Sequence, residues 1–149
     1  MAEFPEKLAE LVDDMQTITD RRERADMLIE IADRFDEVKV PSTVASKPYD
    51  EQHRAPACES EAYVWAVDQP DGTLQYYFDV LNPQGLSAMA MSVILGETVS
   101  GQPLEQVVNV SDDVVFKIFG RELSMGKGAG LMGILTLVRA EARRRVQRN

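Results

Sequence analysis

Apolar residues in the first part of the chain recur every three or four positions, which is the spacing of one buried helical face. One such run covers residues 8–18, and a second covers residues 27–35. Asp20, followed by Glu23 three residues later, resembles a capping box at the start of the second run. The pattern therefore predicts a helical hairpin. The positions expected to face inward are Leu8, Leu11, Val12, Met15 and Ile18, and then Met27, Leu28, Ile31, Ala32 and Phe35.

The middle of the chain has the pattern of strands. Residues 62–67 are rich in strand formers, and residues 74–80 alternate between apolar and polar side chains. Asp68 to Gly72 has turn chemistry. We therefore expect a β-hairpin with one face buried under helices.

Helical spacing returns in the last third. Asn82 and Pro83 resemble a helix start, and the following apolar pattern continues to about Gly96. Two short helices are expected at 103–108 and 112–119. A final helix should follow a turn capped by Ser124, with Leu131, Ile134, Leu135 and Val138 facing the core.

This order of elements predicts an α+β fold, in which a small antiparallel sheet is packed on one side by several helices. At 149 residues the chain is most simply a single domain, 1–149, large enough to bury a core.

Charge and hydropathy narrow the class of protein. The formal net charge is −9, and an acidic body disfavours nucleic acid, which proteins bind mainly through basic contacts to phosphates. The last 29 residues instead carry seven basic and two acidic side chains. This basic tail is interpreted either as a docking patch or as charge that complements a helix C-terminus. No apolar run approaches the ~20 residues of a membrane span, and no signal peptide is recognisable, so we expect a cytoplasmic protein.

Cys58, the single cysteine, is the candidate for chemistry. It follows a loop at 39–57 whose length is typical of functional or mobile segments. A turn and acidic residues flank it, rather than the apolar neighbours of a core thiol, so we expect an accessible, nucleophilic side chain. The alternative is an unreactive, partly buried thiol. One cysteine excludes an internal disulfide, and with one histidine it excludes a cysteine/histidine zinc site, so no metal or cofactor is expected.

Activation of Cys58 would need a basic group nearby. His53 and Arg54 precede it in the loop, and His53 is interpreted either as the partner of a thiolate–imidazolium pair or as an ordinary surface residue. Tyr63 and Trp65 share one side of the first strand by parity. They are interpreted either as an aromatic wall beside the thiol or as ordinary core packing.

The sequence around Cys58 resembles a known family. Ala-Cys-Glu-Ser-Glu-Ala-Tyr at 57–63 is similar to the Gly-Cys-x-Ser-x-Val-Trp/Tyr signature of the SufE family, the sulfur acceptors that work with cysteine desulfurases in iron–sulfur cluster assembly. Residues 78–86 are similar to the family's strand end and Gly-Leu helix start. Residues 123–131 are similar to its Leu-Ser/Thr-Pro-x-Arg-x-x-Gly-Leu segment.

The resemblance implies a SufE/IscU-like fold and a role in sulfur transfer. Cys58 would take persulfide sulfur from a cysteine desulfurase and pass it on, with a cluster scaffold as a candidate recipient. Lys127 stands where an arginine is usual and would stabilise a thiolate or persulfide anion. Ala57 replaces the glycine before the cysteine, so the loop would differ here if that position requires a positive φ. We expect a monomer or a weak homodimer.

Other classes of function remain open at this point. A one-cysteine, peroxidase-like redox protein would consume peroxide, and a cysteine hydrolase would need His53 as its only possible imidazole base. A non-catalytic adaptor would keep its function after Cys58→Ser.

Overall fold

The computed structural model describes residues 3–148. Two short 3-10 turns, Phe35–Glu37 and Glu51–His53, accompany the helices and strands. The architecture is α+β, which confirms the predicted class. The main elements of this region are α1 (Glu6–Thr17), α2 (Arg21–Ala32), β1 (Ala62–Asp68), β2 (Leu74–Val80), α3 (Leu86–Val99), α4 (Leu104–Val108), α5 (Asp113–Phe119) and α6 (Met125–Arg148).

The N-terminal helical hairpin is confirmed, with one difference on α2. Asp20 caps this helix, since its carboxylate accepts a hydrogen bond from the backbone N–H of Arg22 at 2.9 Å. Ile31 and Ala32 are buried against the rest of the fold. Met27, expected to face inward, is instead 39% exposed, because the apolar residues of α2 extend around more of the helix than the face that packs.

The two strands form an antiparallel hairpin with Ala62 opposite Val80 and Asp68 opposite Leu74. The side chains of one face belong to the main core, which α3 and α6 also enter. Tyr76 ties this face to α6, because its hydroxyl donates a 2.7 Å hydrogen bond to the Val138 carbonyl. The predicted layer of helices on one side of a small sheet is therefore present.

The opposite face of the hairpin is covered by residues 38–55, which we call the strap. At one edge the strap bonds to β2, where Val40 N–H donates to the Phe78 carbonyl at 2.8 Å. At the other edge it bonds to β1, where Ala55 N–H donates to the Ala62 carbonyl at 2.8 Å. Tyr63 and Trp65 form a second apolar cluster under the strap, so core packing is the correct interpretation of the aromatic pair.

The start and end of α3 differ from the prediction. Asn82 closes a turn by accepting a hydrogen bond from the Gln84 N–H, and the helix begins only at Leu86. Gly96 does not end the helix, which continues to Val99. A β-carbon at Gly96 would lie 2.6 Å from Val38 Cγ1, so this glycine permits close packing of α3 on the strap.

The remaining helices follow the prediction. The two short helices α4 and α5 are present, and Ser124 Oγ accepts a hydrogen bond from the Lys127 N–H at the start of α6. The inward positions predicted for α6 are all buried: Leu131, Ile134, Leu135 and Val138. None of the described helices is long and apolar enough to cross a membrane.

Most basic residues of the tail lie in the second half of α6, and several form ion pairs within the fold. Arg139 bonds Asp112 at 2.7 Å, and Arg145 bonds Asp68 at 3.0 Å. Arg145 also pairs with Glu141 on its own helix. These arginines therefore join α6 to the loop before α5 and to the end of β1, a role that neither interpretation of the tail included.

Candidate functional site

Cys58 is buried, with only 8% of its surface exposed. It lies in residues 56–61, the segment between the strap and β1, which we call the Cys58 loop. The expectation of an accessible thiol was wrong for this conformation, although the loop position was right. The reason is that α6 packs directly against this loop, a contact between residues about 70 positions apart.

Two glycines of α6 make that contact possible. A β-carbon built on Gly133 would overlap the Pro56 carbonyl oxygen, far inside contact distance. A β-carbon on Gly130 would lie 3.2 Å from both the Ala57 carbonyl oxygen and Cys58 Cα. The bare helix surface therefore allows the backbone of the loop to lie on α6.

The Cys58 loop contains two residues with left-handed backbone conformations. Ala57 has φ 61° and Glu61 has φ 54°, and a turn links the Glu61 N–H to the Cys58 carbonyl at 3.2 Å. Non-glycine residues adopt this region at a cost. The position before the cysteine does have a positive φ, and alanine adopts it here in place of the glycine of the SufE signature.

Cys58 borders a cavity of about 560 Å³, which we call the Cys58 cavity. Three helices form its walls: Leu28 and Ile29 of α2, Leu86 at the start of α3, and Lys127 near the start of α6. The walls are largely apolar and the cavity opens to the surface. The structure thus brings Cys58 and Lys127, both predicted site residues, to one cavity.

Lys127 is exposed and lies in the first turn of α6. A cation and the free N–H groups of a helix start both favour a nearby anion. Glu59 lines the same cavity and opposes this effect, so Lys127 and the helix start can favour an anion at the edge of the cavity only in part, with an effect moderated by solvent.

The structure does not bring His53 into the Cys58 cavity. Its Nδ1 lies 2.9 Å from the Val64 carbonyl oxygen, and its ring stacks on Trp65 with the centroids 5.3 Å apart. Arg54 lines a second, shallower cavity together with Cys58. His53 lines neither cavity.

Sequence reasoning missed the apolar rim of the Cys58 cavity. Ile29 and Leu86 line the cavity and are 45% and 46% exposed. Met125, which is 92% exposed, lies between two lining residues, Ser124 and Gly126. The available signal was a helix, α2, that has more apolar residues than one face needs. Ser60 also lines the cavity, next to Gly85, whose β-carbon would lie 2.8 Å from Ser60 Oγ.

The described residues contain no group of three or more histidine, cysteine, aspartate or glutamate side chains placed to hold a metal ion. The nucleophile that the site presents is the Cys58 thiol. The site combines a sheltered sulfur atom, an adjoining apolar space, and a cation at the edge.

The chain is similar to known proteins in sequence and in fold. The chain matches the SufE family, described as an Fe-S metabolism associated domain, over residues 9–142. No curated protein matches significantly. The fold is similar to the solution structure of a hypothetical protein from Thermus thermophilus, with a TM-score of 0.71, 23% identity, and coverage of 97% of this chain and 98% of that one. Since the family match spans most of the sequence and includes Cys58, the chain belongs to the SufE family, whose domain is associated with iron–sulfur metabolism.

Proposed function

We propose that this protein accepts sulfur from a cysteine desulfurase on Cys58 and carries it as a persulfide for iron–sulfur cluster assembly. One observation carries the proposal: the only cysteine of the chain borders a partly apolar cavity that it shares with Lys127. A lone cysteine suits a carrier, because no second thiol is present to convert the persulfide into an internal disulfide.

The transfer is a thiol–persulfide exchange. The Cys58 thiolate attacks the outer sulfur of the desulfurase's cysteine persulfide, forming a new S–S bond as the donor's S–S bond breaks. The donor's inner sulfur leaves as a thiolate and takes up the proton that Cys58 gave up. One sulfane sulfur changes hands without any external oxidant or reductant, and Cys58 becomes Cys58-S-SH.

The burial of Cys58 supports a carrier that shelters its cargo. A residue that is 8% exposed presents little of its surface to a second protein, so movement of its loop would make the sulfur more accessible. In the sheltered position, the additional sulfur atom has the adjoining Cys58 cavity to occupy, away from most of the solvent. We therefore expect sulfur to be accepted with the Cys58 loop released and stored with it seated.

The competing thiol chemistries have less support from the geometry. A cysteine hydrolase needs a base within hydrogen-bonding reach of the thiol. The only histidine instead bonds the Val64 carbonyl and stacks on Trp65. A peroxidase-like protein and a non-catalytic adaptor are alternatives that the following experiment separates from sulfur transfer.

The test is to measure turnover of the cysteine desulfurase of the same organism alone, with the wild-type protein and with Cys58→Ser. The mass of each recovered protein is then measured by mass spectrometry. We expect faster turnover and a gain of one or more sulfur atoms, both lost in Cys58→Ser. No activation and no sulfur gain by the wild type would contradict the proposal, and stoichiometric peroxide consumption would then favour the redox alternative.

A further inference from the structure

Two glycines in the interior of α6 need a physical explanation. Glycine is among the poorest helix formers, and alanine would stabilise the same positions. Gly130 and Gly133 are one turn apart and so lie on the same face of the helix. Neither position requires a positive φ, because both are helical. Their function must therefore come from what lies against them.

What lies against them is the backbone of the Cys58 loop. The Pro56 carbonyl occupies the space of a Gly133 side chain, and Ala57 and Cys58 occupy that of Gly130. We call these two glycines the glycine seat. The contact involves main-chain atoms, which cannot move aside by a change of rotamer. An added methyl group must therefore displace the loop.

A third glycine on the same helix is a natural control. A β-carbon at Gly128 would meet the Phe116 ring at 3.4 and 3.5 Å, which is ordinary contact distance. The three atoms nearest to such a β-carbon belong to Phe116 and Leu123 rather than to the Cys58 loop, and Gly128 does not line the Cys58 cavity. Alanine is expected to be tolerated there.

We propose that Gly130 and Gly133 are positioning residues that set the balance between a sheltered and a released Cys58. The seat favours the sheltered loop, whereas the left-handed conformation of Ala57 opposes it. The proposal rests on the proposed function in one respect only: the released form is the one that meets the sulfur donor. A methyl group at Gly133 shifts the balance towards release without changing the thiol itself.

The test is the rate at which iodoacetamide alkylates Cys58 in the full chain, followed by mass spectrometry. Wild type is compared with Gly128→Ala, Gly130→Ala and Gly133→Ala, and circular dichroism checks that each variant is folded. Overpacking against a backbone should raise the rate for Gly133→Ala about tenfold. Gly130→Ala should show a smaller increase, and Gly128→Ala should match the wild type.

Equal or slower alkylation of Gly133→Ala relative to Gly128→Ala would overturn the proposal. If Gly133→Ala does not fold, the comparison of Gly130→Ala with Gly128→Ala decides in the same way. The desulfurase assay separates this proposal from the proposed function. If the alkylation rates differ as expected but the wild type gains no sulfur, the role of the glycine seat stands and the sulfur-carrier function is rejected. If the wild type gains sulfur but the alkylation rates of the variants are equal, the sulfur-carrier function stands and the role of the glycine seat is rejected.

Discussion

Tyr49 Oη donates a 2.6 Å hydrogen bond to Asp79 Oδ2, joining the middle of the strap to β2. Asp79 is 3% exposed, and its second carboxylate oxygen accepts a hydrogen bond from the Val80 N–H at 2.8 Å. A buried carboxylate needs such partners, because burial without them is costly. The strap therefore supplies, through Tyr49, a hydrogen bond to Asp79 that the hairpin alone would not provide.

Removing this hydroxyl should destabilise the fold. Tyr49→Phe keeps the ring packed beside Tyr63 and Trp65 but leaves one oxygen of Asp79 without its partner. We expect the free energy of unfolding in urea to fall by ~1–3 kcal/mol. Tyr77→Phe is the control, since the described residues offer its hydroxyl no hydrogen bond. Equal stability of the two variants would contradict this role for the bond.

The same bond should make stability depend on alkaline pH. Burial, and then the hydrogen bond to Asp79, raise the pKa of Tyr49 to about 12 from an ordinary value of 10.0. The folded state therefore holds this proton more tightly than the unfolded state. The stabilisation is complete below pH 10 and is lost as the pH rises towards 12. Unfolding measured across this range should show a smaller loss in Tyr49→Phe than in wild type; equal slopes would contradict the assignment.

Relaxing the backbone before the thiol should stabilise the protein. Ala57 has φ 61°, a conformation that glycine adopts without the steric cost that alanine bears. Ala57→Gly should raise the free energy of unfolding by up to ~1 kcal/mol, after subtraction of the larger entropy of glycine in the unfolded chain. Ala55→Gly, at a residue without a positive φ, should instead destabilise. Thermal unfolding of both variants is the measurement, and a loss of stability in Ala57→Gly would contradict the argument.

Lys127 should accelerate reactions of the Cys58 anion. It lines the same cavity at the start of α6, and a charge in this position contributes a modest electrostatic stabilisation. Lys127→Gln should slow sulfur loading by the desulfurase about two- to fivefold. Lys127→Arg should preserve most of the rate because it keeps the charge. Lys117→Gln, on α5 and outside both cavities, is the control; a rate for Lys127→Gln equal to that of the control would exclude the proposed role.

Arg145 should matter more for stability than its neighbour Arg144. Its side chain is 13% exposed and bonds both Asp68 and Glu141, whereas the side chain of Arg144 is 62% exposed. Arg145→Ala removes a largely buried guanidinium and its charge-assisted bonds to Glu141 and Asp68, although Arg144 and Arg148 still pair with these two acids, so we expect a loss of ~1–3 kcal/mol. Arg144→Ala should cost less than ~1 kcal/mol, as exposed ion pairs do. Urea unfolding of the two variants compares them directly, and equal losses would contradict the distinction.

Local patterns predicted the elements whose formation depends on neighbouring residues. The spacing of Leu8, Val12 and Met15 was sufficient for α1, and the alternation of residues 74–80 was sufficient for β2. The start of α3 was placed too early because Asn82 and Pro83 have the same residue types in a turn as in a cap. Its end was missed because Gly96 serves a contact with Val38, 58 positions earlier in the chain.

Cys58, Lys127 and His53 were the candidate residues from the sequence, and the structure places the first two at one cavity and His53 outside it. The position of Cys58 within a recognisable signature identified the thiol, and the motif near the start of α6 identified Lys127. The burial of Cys58 was not predictable locally, because Pro56 and Glu59 indicate an open loop. It depends on Gly130 and Gly133, two positions to which the sequence pattern assigned no role.

The hydrogen bond between Ala55 and Ala62 limits how far the thiol can travel. It joins the two ends of the Cys58 loop, so the six residues 56–61 can swing outwards only as a tethered arc. Half of that arc, three extended residues, spans about 10 Å. While this bond is intact, the backbone of Cys58 stays within about 10 Å of the Ala55–Ala62 pair, and a sulfur donor must bring its persulfide close to that radius. Under the proposed function, this radius excludes donors whose persulfide is recessed more deeply than that below their own surface.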